Sequence, residues 1–180
     1  MSQTDERIIT HFGSGFTGPK DKLYRQCTEI GELISKNGYT VCSGGYGGTM
    51  EAVSKGAKKN DGKTLGVTVA TWDRQPNIYI DENIQMSNHM ERIMELIAIG
   101  DAYVIFPGGT GTIVEISTTL EIMHKKAMKE KKLIFFTSFW KNVIETLKLD
   151  SKSLKELIKR NVKFVNTPQS VIKELKNLNL

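Results

Sequence analysis

Three glycine-rich turns, each directly after a short apolar run and shortly before an amphipathic stretch, constrain this 180-residue chain more than any other feature. They are Gly13-Ser14-Gly15-Phe16-Thr17-Gly18, Gly44-Gly45-Tyr46-Gly47-Gly48 and Pro107-Gly108-Gly109-Thr110-Gly111-Thr112. When β-rich runs alternate with helical ones, each helix serves as a crossover that returns the chain to a parallel neighbour. The expected class is α/β, with a Rossmann-like, three-layer, doubly wound and mainly parallel sheet. All three turns then fall at the carboxyl edge of that sheet, where such folds bind ligands.

The runs can be followed in order. Arg7 to Phe12 reads as a strand, Lys20 to Lys36 as a helix ended by Asn37-Gly38, Thr40 to Cys42 as a strand and Thr49 to Lys59 as a helix. Thr64 to Ala70 is a further strand, and Thr71 to Asn88, with Pro76 and no clear period, reads as an irregular active-site loop. A helix over His89 to Ile99 leads into Ala102 to Phe106, whose unbroken apolar character suits a strand buried on both faces. The helix expected over Thr112 to Lys129 carries Ile113, Ile116, Leu120, Met123 and Ala127 as its core stripe, with Glu115 off it. Leu133 to Phe136 and Lys163 to Val165 read as strands, Phe139 to Arg160 as two short helices and Pro168 onward as a terminal helix. Met86, Met90 and Met94 could serve core or interface, with core packing favoured. One domain spanning 1–180 is expected, since a chain of this length buries roughly two thirds of its unfolded surface.

Cys27 and Cys42 match no zinc or redox spacing and read as buried thiols. With neither a signal peptide nor an apolar run of spanning length, the expected setting is cytoplasmic, without a membrane partner. The net charge of +5 divides into about −4 over Met1–His124 and about +9 over Lys125–Leu180. The basic part is nearly all lysine, and Lys125, Lys126, Lys129, Lys131 and Lys132 cluster near a helix end, where cations complement the helix dipole. Nucleic-acid sites more usually combine arginine forks with aromatics, so no nucleic-acid partner is expected.

Helix N-termini present unpaired N–H groups, and glycine lets a phosphate approach them closely. The first turn fits G-x-G-x-x-G, yet Ser43 and Gly44 stand where a dinucleotide site needs an acid, and no P-loop signature exists. The second turn could touch ligand or be glycine-rich for tight packing, and Glu51 beyond it could serve structure alone. The third turn aims several N–H groups and two hydroxyls at one point. Glu115, three residues past Thr112, can reach that point; the same pair also has capping-box spacing, and spacing alone leaves both readings open. Arg92 offers a bidentate fork in a lysine-rich chain, with an intrahelical pair to Glu91 or Glu95 as its plainer use. His89 and His124 lack companions at ligand spacing, so no metal is expected.

Pro107-Gly108-Gly109-Thr110-Gly111-Thr112 with Glu115 resembles the P-G-G-x-G-T-x-x-E motif of the Lonely Guy (LOG) family, whose members were long misannotated as lysine decarboxylases. The likeness runs from about Ile8 to Phe136 and takes in Gly13-Ser14, Gly44-Gly45 before Met50-Glu51-Ala52, and Glu91-Arg92. It implies a homodimer that hydrolyses nucleoside 5′-monophosphates to free base and ribose 5-phosphate without a cofactor. It also implies catalytic roles for Arg92 and Glu115, and phosphate or nucleotide contacts for Gly13, Ser14, Gly44, Gly45, Gly108, Gly109, Thr110, Gly111 and Thr112. Glu115 would orient ribose or water and stabilise the oxocarbenium-like state, while Arg92 positions substrate. Cytokinin-activating members read Met-His-Glu-Arg-Lys where this chain has His89-Met90-Glu91-Arg92-Ile93. A branch that looks equally similar comprises molybdenum-cofactor carriers, which bind a phosphorylated pterin and need not catalyse. A true lysine decarboxylase is disfavoured, because no lysine for a Schiff base lies within the turns.

Overall fold

Apolar side chains on both faces of a strand require cover on both faces, and that requirement sets the layering here. A computed structural model describes residues 7–177, so the ends of the expected 1–180 domain lie outside the described residues. In chain order the elements are β1 (Ile8–Phe12), α1 (Lys22–Lys36), β2 (Thr40–Ser43), α2 (Thr49–Lys58), β3 (Thr64–Val69), β4 (Glu82–Met86) and α3 (His89–Ile99). There follow β5 (Ala102–Ile105), α4 (Thr110–His124), β6 (Lys132–Phe136), α5 (Lys141–Leu147), α6 (Lys152–Asn161), β7 (Val162–Val165) and α7 (Pro168–Lys176).

The strands form one sheet in the order β4-β3-β2-β1-β5-β6-β7, with every pairing parallel. Along β5 the side chains alternate between two cores. Ala102 and Val104 join Ile30, Val53 and Val171 beneath α1, α2 and α7, whereas Tyr103 and Ile105 join Leu96, Leu120 and Ile158 beneath α3, α4 and α6. This is the expected three-layer doubly wound fold. The chain winds outward from β1 to β4, then returns to place β5 on the other side of β1. The turns after β1 and β5 therefore part at the topological switch point, which opens a crevice there.

The structure corrects four expectations. The stretch from Thr71 to Asn88 is not wholly irregular: Glu82–Met86 is a strand paired with β3 from Leu65↔Glu82 to Val69↔Met86. It is an exposed edge strand, and such edges carry polar residues that hide the apolar signal. Helix α4 begins at Thr110 and ends at His124, where Lys125 closes it and Lys126 turns with φ 59°. Its buried face comprises Thr112, Glu115, Ile116, Thr119, Leu120 and Met123, so Glu115 lies on the core-facing side while Ile113 and Ala127 are exposed. Lastly, Met90 and Met94 are open to solvent rather than in the core, whereas Met86 packs against it.

Lysines near the C-terminal half do tie off helix ends. Lys131 Nζ donates to Ile97 O at 3.2 Å and Ala98 O at 3.0 Å, and Lys132 Nζ donates to Arg160 O at 2.7 Å. Cys27 and Cys42 are free, buried thiols, and burial raises both above the usual thiol range. Glu51 accepts a hydrogen bond from the Tyr24 hydroxyl at 2.7 Å, which gives it a structural use between α1 and α2.

These two helices approach so closely that a Cβ on Gly56 would stand 1.9 Å from the Thr28 carbonyl oxygen. Gly56→Ala is expected to destabilise the fold by about 1–3 kcal/mol through overpacking. A thermal melt should show Tm lowered by about 3–10 °C; an unchanged Tm would mean that the helices can slide apart freely.

Candidate active site

The three glycine turns meet around one residue, Ser14. The Ser14 N–H donates to Pro107 O at 3.2 Å, and the Ser14 carbonyl accepts from the Thr49 N–H at 2.9 Å and the Thr49 hydroxyl at 3.1 Å. Ser14 thus fastens the first turn to the third through Pro107 and to the second through Thr49. Gly48 sits in the left-handed region with φ 71°, and a Cβ there would lie 2.3 Å from Ser14 O. Only glycine meets both demands.

Beyond this seam lies a cleft of about 350 Å³, within the usual range for small-molecule sites. The first turn contributes Gly13 and Ser14, and the third contributes Gly109, Thr110, Gly111 and Thr112. Arg92 and Glu115 also line it. Gly44, Gly45 and Gly108 are not among its lining residues. A Cβ on Gly44 would stand 1.6 Å from Arg92 Nη2, so this glycine makes room for the guanidinium. The second turn reaches the cleft instead through Tyr46 and Gly47.

Gly109 is the N-cap of α4, and the Ile113 N–H returns to the Gly109 carbonyl at 3.1 Å. The N–H groups of Thr110, Gly111 and Thr112 precede the first intrahelical donor, the Ile113 N–H, and they open onto the cleft with the positive end of the helix dipole. No side chain caps this helix. The capping-box reading of Thr112 and Glu115 therefore fails, because the N-cap is Gly109, three residues before Thr112. Glu115 is left unengaged by capping.

Arg92 is only 5% exposed. Its Nε donates to Val67 O at 2.7 Å and its Nη2 to Gly44 O at 3.0 Å, so the guanidinium braces the end of β3 against the second turn. Glu91, one of the partners considered for it, is occupied elsewhere, accepting from the Ser87 hydroxyl at 2.5 Å and Asn88 Nδ2 at 2.8 Å. Burial weighs against the charge of Arg92, and the nearby Glu115 carboxyl supports it. Glu115, 9% exposed, is raised to about 8 by burial against a partial offset from Arg92. At neutral pH its resting form carries a proton.

Aromatic residues complete the walls. Tyr46, Trp72 and His89 line the cleft, as do Phe16 and Arg74. Trp72 and Arg74 come from the irregular segment after β3, which was expected to be an active-site loop. Their signal was Trp72 itself, a large ring in the polar run from Thr71 to Asn77. His89, which lacks companions at metal-ligand spacing, turns its ring to 5.2 Å from Trp72. His11 at the end of β1 is buried, its Nδ1 3.1 Å from Cys42 O, and desolvation lowers it to about 4. Its position inside a strand gave no sign of this. Among the described residues, no group of three or more His, Cys, Asp or Glu could hold a metal, and no helix is long and apolar enough to cross a membrane.

The family model described as LDcluster4, the SLOG cluster4 family, matches residues 6–170. The chain belongs to the SLOG cluster4 family, a LOG-like group. A pyrimidine/purine nucleotide 5′-monophosphate nucleosidase of Escherichia coli K12 is 29% identical over 135 residues, covering 70% of this chain and 29% of that protein. A cytokinin riboside 5′-monophosphate phosphoribohydrolase of Mycobacterium tuberculosis is 31% identical over 98 residues, covering 53% of this chain and 52% of that one. The chain thus spans about half or less of the length of these two relatives. The molybdenum cofactor binding protein of Rippkaea orientalis superposes with a TM-score of 0.76 at 22% identity, covering 98% of this chain and 99% of its own, a likeness of fold.

The buried acid has a consequence for stability. In the unfolded chain Glu115 titrates near 4.5, and in the fold near 8. The folded state binds the proton more tightly, so this group's contribution is fully present below about pH 4.5 and is lost as pH rises to about 8. Denaturant titrations of wild type and Glu115→Gln at pH 5 and 8 should show wild type losing roughly 2–5 kcal/mol relative to the variant across that window. Parallel pH dependences would contradict the raised value.

Proposed function

We propose that this protein hydrolyses the N-glycosidic bond of a nucleoside 5′-monophosphate, releasing free base and ribose 5-phosphate. The observation that carries the reading is a buried carboxyl beside a buried guanidinium in a cleft that also receives the open N-terminus of α4. Phosphate would sit on the N–H groups and hydroxyls from Thr110 to Thr112, with Gly13 and Ser14 alongside. That anchor sets C1′ of the ribose beside Glu115, so binding energy from the phosphate serves orientation at the reacting carbon. The names of the E. coli and M. tuberculosis relatives, both acting on nucleoside 5′-monophosphates, support the same chemistry.

In this reaction the C1′–N bond breaks with its electron pair leaving on the base, and a water oxygen bonds to C1′. Glu115 works as the carboxylate: it stabilises the positive charge on the ribose and takes the proton of the attacking water, while the departing base takes a proton from solvent. Arg92 is a positioning residue, because its bonds to Val67 O and Gly44 O hold the wall against which substrate lies and its charge favours the ionised form of Glu115. Gly44 and Gly45 act through that wall, and Gly108 through the close packing of the third turn. The homodimer implied by the resemblance is in keeping with exposed apolar side chains on two neighbouring helices, Met90 and Met94 on α3 and Ile113 and Val114 on α4.

The test is release of free base from AMP and other nucleoside 5′-monophosphates. Glu115→Gln is expected to lower kcat/KM by about 10²–10⁴-fold with the fold retained. Since the carboxylate is the working form, wild-type kcat/KM should rise about tenfold per pH unit up to about pH 8 and level off above it. Turnover by Glu115→Gln at the wild-type rate would overturn the assignment. Tight binding of these nucleotides with no base released would instead indicate a carrier, the alternative that the branch of molybdenum-cofactor binders represents.

A further inference from the structure

We propose that Trp72 is the platform on which the planar heterocycle of the ligand stacks, and that it makes the cleft select a base-bearing phosphate over a bare sugar phosphate. The proposal rests on the nucleotide reading above and adds the residue that recognises the base.

Trp72 lies in the turn just after β3, in a conformation fixed from several sides. Its N–H donates to Val69 O at 3.2 Å, and its carbonyl accepts from the Arg74 N–H at 2.8 Å. The same loop is clipped to the second glycine turn by Asn77, whose N–H donates to Gly45 O at 2.7 Å and whose Nδ2 donates to Gly45 O at 3.0 Å and Tyr46 O at 2.9 Å. The indole leans on Tyr46, with centroids 5.7 Å apart and planes tilted by 30°. Tyr46 is itself buried, with its hydroxyl accepting from the Val69 N–H at 3.0 Å. On another side stands the His89 ring, tilted by 34°. Below the layer is the Arg92 guanidinium, 5.6 Å from the Tyr46 centroid and 5.9 Å from that of Trp72, within the range of cation–π attraction.

This is a supported aromatic surface, and yet 36% of Trp72 remains open. The open part borders both the cleft and an adjoining hollow over Thr71 to Arg74. The other tryptophan makes the contrast: Trp140 is buried in the core, with Nε1 donating to Phe106 O at 2.9 Å. A large ring packed between Tyr46 and His89 at the wall of the cleft has less conformational freedom left to lose, so a stacking ligand orders the side chain at lower cost. Stacking has no hydrogen-bond code, since every base offers a π-face. The site is therefore expected to accept several bases and to favour the larger purine rings.

The test measures affinity for AMP and for ribose 5-phosphate in the Glu115→Gln background, where AMP is not consumed, with and without Trp72→Ala or Trp72→Phe. Trp72→Ala should weaken AMP by about 5–150-fold and leave ribose 5-phosphate within about twofold. Trp72→Phe should recover most of the loss, and quenching of tryptophan fluorescence by AMP should disappear in both variants. Unchanged AMP affinity, or equal weakening of both ligands, overturns the proposal, the second result being what a merely structural role would produce. Failure of wild type to cleave AMP would remove the hydrolase reading while leaving this differential intact; absence of binding by either ligand to the parent protein would overturn both.

Discussion

The buried charge of Arg92 is the constraint on which the rest of the site depends. A guanidinium withdrawn from water needs acceptors fixed around it, because an uncompensated buried ion costs several kcal/mol. Here two main-chain carbonyls meet that need, Val67 O at the end of β3 and Gly44 O in the second turn. Each requirement selects residues. Gly44 has no side chain because the guanidinium occupies that space, and lysine could not serve in place of arginine because a single ammonium lacks the planar fork. The same buried surroundings raise Glu115, so the cation and its acidic neighbour are poised by one desolvated environment. A carboxyl tuned towards working pH is a recurrent property of catalytic centres, and here it has a specific neighbour as well as a cavity.

Sheet topology explains why these groups meet. Arg92 comes from α3 and Glu115 from α4, the helices on either side of β5 in the chain, and both belong to the layer that covers one face of the sheet. Reversal of winding at β1 and β5 opens the crevice at their carboxyl ends, and the main chain of Ser14 then joins the turns at its margin. In the proposed reading the open start of α4 would hold the phosphate, Glu115 would serve the reacting carbon and the aromatic wall would take the base. The three parts of a nucleotide would then meet three different physical devices: an array of N–H donors, a desolvated acid and a supported ring.

Much of the fold was legible in the sequence because its strands are buried on both faces and its helices alternate with them. The runs around Thr40, Ala102 and Leu133 needed no tertiary information to be recognised. Glu82–Met86 was hidden because an edge strand has one neighbour and carries polar residues on its exposed side. For the site, the loop from Gly108 to Thr112 and the pair Arg92 and Glu115 were visible as residue types. What could not be read was their burial. The apparent stripe through Ile113 and Ala127 misplaced Glu115, since a helix that starts at Thr110 and ends at His124 buries positions 112, 115, 116, 119, 120 and 123 instead. Capping-box spacing likewise gave no means of telling Thr112 at the third helical position from Thr112 at the cap. Tyr46 and Trp72 belong to separate loops, and tertiary contacts, the Asn77 clip and the Val69 N–H bond to the Tyr46 hydroxyl, make them one wall.

The most direct measurement is a crystal structure of Glu115→Gln with AMP bound. The account predicts the phosphate on the N–H groups of Thr110 to Thr112, C1′ beside residue 115 and the adenine against Trp72. A phosphate bound away from the start of α4, or a ribose whose C1′ is out of reach of residue 115, would contradict it.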